Sequence, residues 1–262
     1  MRNDTAPLRV LVFGAGVLGS LYAARLADAG HEVSLVARGR RYRDLREHGI
    51  VLEYFDTGER TTTQVRTLDA MPTDEHHDLC LVAVQKTQLE AALPVLATNT
   101  VIPTFLFMVN TAEGPQAMID ALGRERVMLS FANAGGERDG HLVRLMVAKR
   151  KAVTMGELDG SRSERLLRVK AAFESAGFPV QPPALRFMLL LPNFVLVPLM
   201  QRLIASPIMD IGGKRHALAA REEMTALNEE LLAMAEAVGM DTPMMRKLHR
   251  YSDPAVPPAF AA

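Results

Sequence analysis

The chain has 262 residues, 48% of them hydrophobic and 23% charged, with 30 Lys+Arg balanced by 30 Asp+Glu. This is ordinary globular composition at a length that permits one large domain or two modest ones. The zero net charge provides no overall field for nucleic acid, and the single cysteine, Cys80, excludes an internal disulfide and a cysteine-rich metal site.

In chain order, Arg9–Phe13 reads as a short strand entering a glycine turn, and Leu18–Ala29 follows with helical spacing of Leu18, Leu21, Tyr22, Arg25 and Leu26. Gly30 stands where a glycine ends a helix. Glu32–Ala37 is a second strand. Ile50–Phe55 and Thr61–Thr67 read as a hairpin around Asp56-Thr57-Gly58. Asp78–Val84 is a buried strand, Thr87–Leu96 a helix and Thr104–Val109 another buried strand. Strands alternating with helices imply a doubly wound parallel sheet. Gly135-Gly136 reads as a loop, and His141–Val147 and Ala152–Leu158 as strands that extend the sheet edge. Ser161-Arg-Ser-Glu164 has capping-box spacing before a helix that ends at Ala176-Gly177.

From Pro183 onward only helices are expected, so the sequence divides into an α/β domain over 1–178 and a helical domain over 179–262. Phe187–Met200 is almost wholly apolar, yet it contains Pro192, Asn193 and Pro198 and falls short of the ~20 residues a bilayer span requires. It is read as a buried helix or subunit interface, with no membrane partner. Met1–Pro7 lacks the apolar core of a secretory leader, and Cys80 lies in an apolar run, which together point to the cytoplasm. His76-His77 has no third ligand at metal spacing, so the pair is read as a surface loop and no metal is expected.

Gly14-Ala15-Gly16-Val17-Leu18-Gly19 is a G-x-G-x-x-G sequence. It follows a strand, opens a helix and precedes a second strand, the context of a Rossmann-type dinucleotide site. Gly14 permits the tight turn, Gly16 the approach of backbone to pyrophosphate, and Gly19 close packing of helix on strand. The helix start then offers free N–H groups and partial positive charge to phosphates. The end of the second strand chooses the cofactor. An NAD site places Asp or Glu there. This chain reads Val36-Ala37-Arg38-Gly39-Arg40-Arg41, with no acid. A guanidinium fits a 2′-phosphate bidentately, so the expected cofactor is NADP, with Arg38 its first contact.

These residues resemble the ketopantoate reductases, the NADPH-dependent 2-dehydropantoate 2-reductase family. The resemblance rests on Arg9–Gly19, on Gly30-His-Glu-Val33 leading to Arg38, and on Asp78–Val84 followed by Lys86 and Gln88. It continues through Asn110 after the next strand, and through Asn193 and Pro198-Leu199. It implies a Rossmann domain joined to a helical domain, with a small 2-oxo acid reduced between them. It also implies Gln85 near the cofactor, Lys86 and Asn110 as catalytic residues, and Asn193 on the substrate.

Four departures stand out. The family's catalytic lysine, four residues before the helix asparagine, falls at Leu189, which can neither protonate an alkoxide nor hold a carboxylate. The family's lysine after the fourth strand would fall at Gln85, one place before Lys86. Of the C-terminal glutamate only Glu223 offers a match, under a gapped alignment. The helical domain is short for the family, which leaves Phe187, Leu190, Phe194 and Val197 to be covered by a second copy, so a homodimer is expected. The expected activity is NADP(H)-dependent reduction of a carbonyl or imine. Two alternatives stay open: an NADPH-binding sensor or scaffold, and non-redox chemistry on an apolar substrate.

Overall fold

A computed structural model describes residues 6–109, 114–132, 134–147 and 152–181. Its centre is an eight-stranded sheet in the order β12-β11-β8-β7-β6-β1-β2-β5. The strands are β1 (Arg9–Phe13), β2 (Glu32–Val36), β5 (Arg66–Leu68), β6 (Leu79–Val82), β7 (Phe105–Phe107), β8 (Val127–Phe131), β11 (Val153–Glu157) and β12 (Val180–Gln181). All neighbours run parallel except β8 and β11. Leu79–Val82 and Phe105–Phe107 are buried throughout. That is why these strands read as continuous apolar runs rather than as alternating ones.

From β1 the chain builds outward to β2 on one side and later to β6 on the other, with Val10 registered on both Val33 and Leu79. The crossover between β1 and β2 is α1 (Val17–Asp28), and that between β6 and β7 is α3 (Lys86–Ala97). Such a reversal of winding opens a crevice at the carboxyl ends of the two central strands, where α/β sheets bind ligands. Gly30, at φ +92°, ends the α1 region as expected.

A second, four-stranded sheet has the order β4-β3-β10-β9. Here β3 (Ile50–Tyr54) and β4 (Arg60–Thr63) form the expected hairpin, and β10 (Leu142–Val147) pairs parallel with β3 and antiparallel with β9 (Gly135–Asp139). Its Ile50, Leu52, Tyr54, Val143 and Leu145 share one core with Leu21, Tyr22 and Leu26 of α1. On the same core, α5 (Glu164–Ser175) brings Phe173 to 5.5 Å from the Tyr22 ring, and Phe178 beyond it lies 4.7 Å away. His31 fastens this assembly. Its Nδ1 accepts the Leu8 N–H at 3.1 Å, which leaves the proton on Nε2, 3.0 Å from Ser175 Oγ. Burial holds the His31 imidazole below its usual range.

Several expectations are corrected. Thr61–Thr67 is two strands, because β4 ends at Thr63 and β5 leaves the hairpin to pair with β2. Gly135-Gly136 opens β9 rather than a loop. A Cβ on Gly136 would meet the Arg144 carbonyl oxygen at 2.1 Å, so glycine lets the strands approach closely. His141–Val147 builds the second sheet, while β11 does join the central one. The helix cap is Ser163, whose Oγ accepts the Leu166 N–H at 3.1 Å; the Ser161 N–H goes to Asp159 instead. His77 is buried, only His76 of that pair being exposed. The reason is local: Asp78 pins the segment to β1 by accepting the Arg9 N–H at 2.8 Å.

The elements not anticipated include α2 (Gly39–His48), α4 (Gln116–Leu122) and β8. For α2 the cause is plain. Its two buried positions, Arg41 and Leu45, are four apart, and a cation at one of them hides the apolar period. The strand β12 ends three residues past the expected limit of the first domain at 178, and residues 182–262 lie outside the described residues. No helix among the described residues is long and apolar enough to cross a membrane.

Candidate functional site

The candidate site is built where β1 turns into α1. Gly14 sits at φ +109°, and a Cβ there would meet the Ala83 carbonyl oxygen at 2.6 Å. Only glycine accepts both the conformation and the contact. A Cβ on Gly19 would fall 1.8 Å from the Gly14 carbonyl oxygen, so this residue lets the helix close on the loop. Gly16 differs: it is exposed, its φ of −76° is ordinary, and nothing lies within 4 Å of where its Cβ would be. One glycine therefore serves the turn, one the packing, and one leaves open space above the helix start. Ala15 is buried, and Val17 and Leu18 pack against the core, so these three offer the site their backbone.

Gly16 is the N-cap of α1, and no side chain caps that end. The first turns of α1, α2 and α3 carry no acidic residue, although acids are favoured there by the helix dipole. Each of these helices starts after a carboxyl end of a central strand, from β1, β2 and β6 respectively. The sheet edge thus presents three positive helix ends with no built-in anion.

At the end of β2, Arg38 is the exposed N-cap of α2, in extended conformation, and forms no ion pair among the described residues. Arg40 lies 3.9 Å from Asp44 on the outer face of the helix. Arg41 turns inward and is buried at 6% exposure. Its Nε donates to the Ala15 carbonyl at 3.2 Å, one terminal nitrogen to Ser20 Oγ at 2.9 Å and the other to the His141 carbonyl at 2.9 Å. Burial, with Arg138 nearby, pushes its pKa down to about 10, so it remains charged near neutrality. The sequence marked Arg38 as the first contact but did not separate Arg40 from Arg41. The spacing to Leu45 could have marked Arg41 as the inward one.

At the end of β6, the Ala83 N–H donates to the Phe13 carbonyl and the Met108 N–H to the Val82 carbonyl, both at 2.9 Å, which fixes the neighbouring exits together. Gln85 caps α3, its N–H donating to Gln88 Oε1 at 3.2 Å, and Lys86 is the first helical residue; both are exposed. The structure therefore places Gly14–Gly19, Arg38, Gln85 and Lys86 along one edge of the sheet. Asn110 follows the described Val109 and lies outside the described residues, as do Leu189, Asn193 and Glu223. Cys80 is inside β6, where burial raises its thiol pKa and leaves it inert. Among the described residues no three metal-ligating side chains cluster.

The winding order, the glycine loop and the acid-free helix starts define a Rossmann-type dinucleotide-binding fold. A family model described as "Ketopantoate reductase PanE/ApbA" matches residues 10–160, more than half of the chain. The chain belongs to this family, which is one of oxidoreductases. It is 27% identical over 258 residues to a 2-dehydropantoate 2-reductase of Mesorhizobium japonicum, covering 88% of this chain and 76% of that one. It is 28% identical over 182 residues to a protein of the same name from Aquifex aeolicus, covering 66% of this chain and 55% of that one. Among solved structures, the complex of D-mandelate dehydrogenase with NADH is similar at TM-score 0.70 and 15% identity, covering 94% of this chain and 80% of that one. That likeness concerns the fold.

Proposed function

We propose that this protein is an NADP(H)-dependent oxidoreductase that reduces a carbonyl or imine of a small molecule in the cytoplasm. The relatives are reductases of 2-dehydropantoate, and a structural neighbour was solved with NADH, which supports a nicotinamide cofactor. The choice of NADP rests on one observation. Arg38 follows β2, exposed and without an ion-pair partner among the described residues, in the position where an NAD site carries an acid.

The residues fit the cofactor. Gly16 would leave room for the pyrophosphate, the free N–H groups at the α1 start would receive it, and Arg38 would hold the 2′-phosphate. When bound, the dinucleotide supplies the hydride. Residues 1–178 then form the cofactor domain and 179–262 a helical substrate and dimerisation domain. In this assignment Gln85 lines the cofactor and Lys86 delivers a proton to the substrate oxygen or nitrogen as charge develops on it. Asn110 hydrogen-bonds the reacting group, and Asn193 holds the substrate. Orientation by these groups supplies much of the rate that Leu189 cannot.

A second reading, an NADPH-binding protein without reductase activity, is favoured only by Leu189. Arg38→Ala tests the cofactor assignment. One charge-assisted pair contributes about 1.5–3 kcal/mol, so NADPH affinity should fall tenfold or more, by rough conversion, with NADH affinity unchanged. Equal losses for the two cofactors would remove Arg38 from the 2′-phosphate.

A further inference from the structure

Among the described residues Arg41 is a buried charge without a contacting counter-ion, Asp44 acting on it only from beyond ion-pair distance. No carboxylate lies within ion-pair distance among the described residues, and its three acceptors are two backbone carbonyls and a hydroxyl. Arg138 adds a second positive charge nearby, and the negative charge of Asp44 offsets it only in part. A buried cation with only neutral acceptors is expensive for a fold to keep. What Arg41 holds gives the reason. The Ala15 carbonyl belongs to the glycine loop, and Ser20 Oγ, itself fully buried, stands 3.4 Å from that same carbonyl oxygen. Both donors draw the Ala15 oxygen toward the protein interior, while Gly16, the next residue, stays exposed. A carbonyl turned the other way would set a partial negative charge against the phosphates.

We infer that Arg41 is a positioning residue for the cofactor: by holding the Ala15 carbonyl inward, with Ser20, it keeps the loop's N–H groups directed at the pyrophosphate. This rests on the dinucleotide reading of the loop. It also divides the labour between the arginines. Arg38 reads the 2′-phosphate, which only NADP carries, whereas Arg41 acts at the pyrophosphate, which NADP and NAD share.

The test is fluorescence titration of wild type, Arg41→Met, Arg41→Lys and Ser20→Ala with NADPH and with NADH, each variant first shown folded by circular dichroism. Arg41→Met should weaken both cofactors by the same factor, about tenfold, leaving their ratio as in wild type. Arg41→Lys, which keeps the charge but not the fork, and Ser20→Ala should each show a smaller loss, again equal for the two. If Arg41→Met does not fold, the Lys and Ala variants decide alone. Unchanged affinities in these two, whatever their thermal stability, would make Arg41 purely structural and overturn the inference. A loss confined to NADPH would overturn it as well, by moving Arg41 to the 2′-phosphate. Wild type that binds neither cofactor would instead overturn the dinucleotide reading itself.

Discussion

Gly16 and Gly19 lie three residues apart in one loop, yet alanine should act on them in opposite ways. At Gly19 the new methyl group would fall 1.8 Å from the Gly14 carbonyl oxygen and 3.0 Å from its carbon. Ordinary contact requires α1 to withdraw by roughly 1.5 Å, and Gly14 cannot yield, being pressed against Ala83 on its other side. Overpacking of this kind costs about 1–3 kcal/mol, which lowers the thermal midpoint by about 2–12 °C for a domain of this size. At Gly16 nothing lies within 4 Å and φ is −76°, so alanine fits the free protein. Its stability should stay within about 0.5 kcal/mol of wild type. The methyl group would instead occupy the space left for pyrophosphate, and NADPH affinity should fall by about tenfold or more. Thermal unfolding followed by circular dichroism, beside NADPH titration, separates the two. A Gly16→Ala protein that binds NADPH as wild type does, or a Gly19→Ala protein with an unchanged midpoint, would refute the assigned roles.

Burial depresses the His31 pKa, so the unfolded chain takes up the proton first. Stability should be complete above about pH 6.5 and decline as pH falls from there through the lower folded value. His31→Gln should flatten that decline in urea titrations between about pH 5 and 7; an unaltered slope would contradict it. Ketopantoate should be turned over weakly or not at all, because Leu189 replaces the family lysine, and Leu189→Lys alone should not restore activity; vigorous NADPH oxidation by wild type would contradict this. Light scattering should find a homodimer formed through the segment around Phe187–Met200, and a clean monomer mass of 28.7 kDa would contradict that.

The inner strands β1, β2, β6 and β7 were legible from their apolar residues, with β6 and β7 buried throughout, and the loop because its three glycines sit between a strand and a helix. What stayed hidden has physical causes. An arginine at an inward position broke the pattern of α2. The pairing of β10 with β3, 91 residues apart in sequence, leaves no local sign of a second sheet. The capping of α5 by Ser163 rather than Ser161 turned on which hydroxyl reached Leu166 N–H and which backbone N–H went to Asp159. At the site, composition showed that the β2 end lacks an acid, but only packing distinguished exposed Arg38 from buried Arg41.

The central claim, that this sheet edge is built for NADP, is tested most directly by titrating the wild-type protein with NADPH and NADH under one set of conditions. An exposed Arg38 meeting a 2′-phosphate should favour NADPH by about tenfold or more. Equal affinities, or a preference for NADH, would contradict the account.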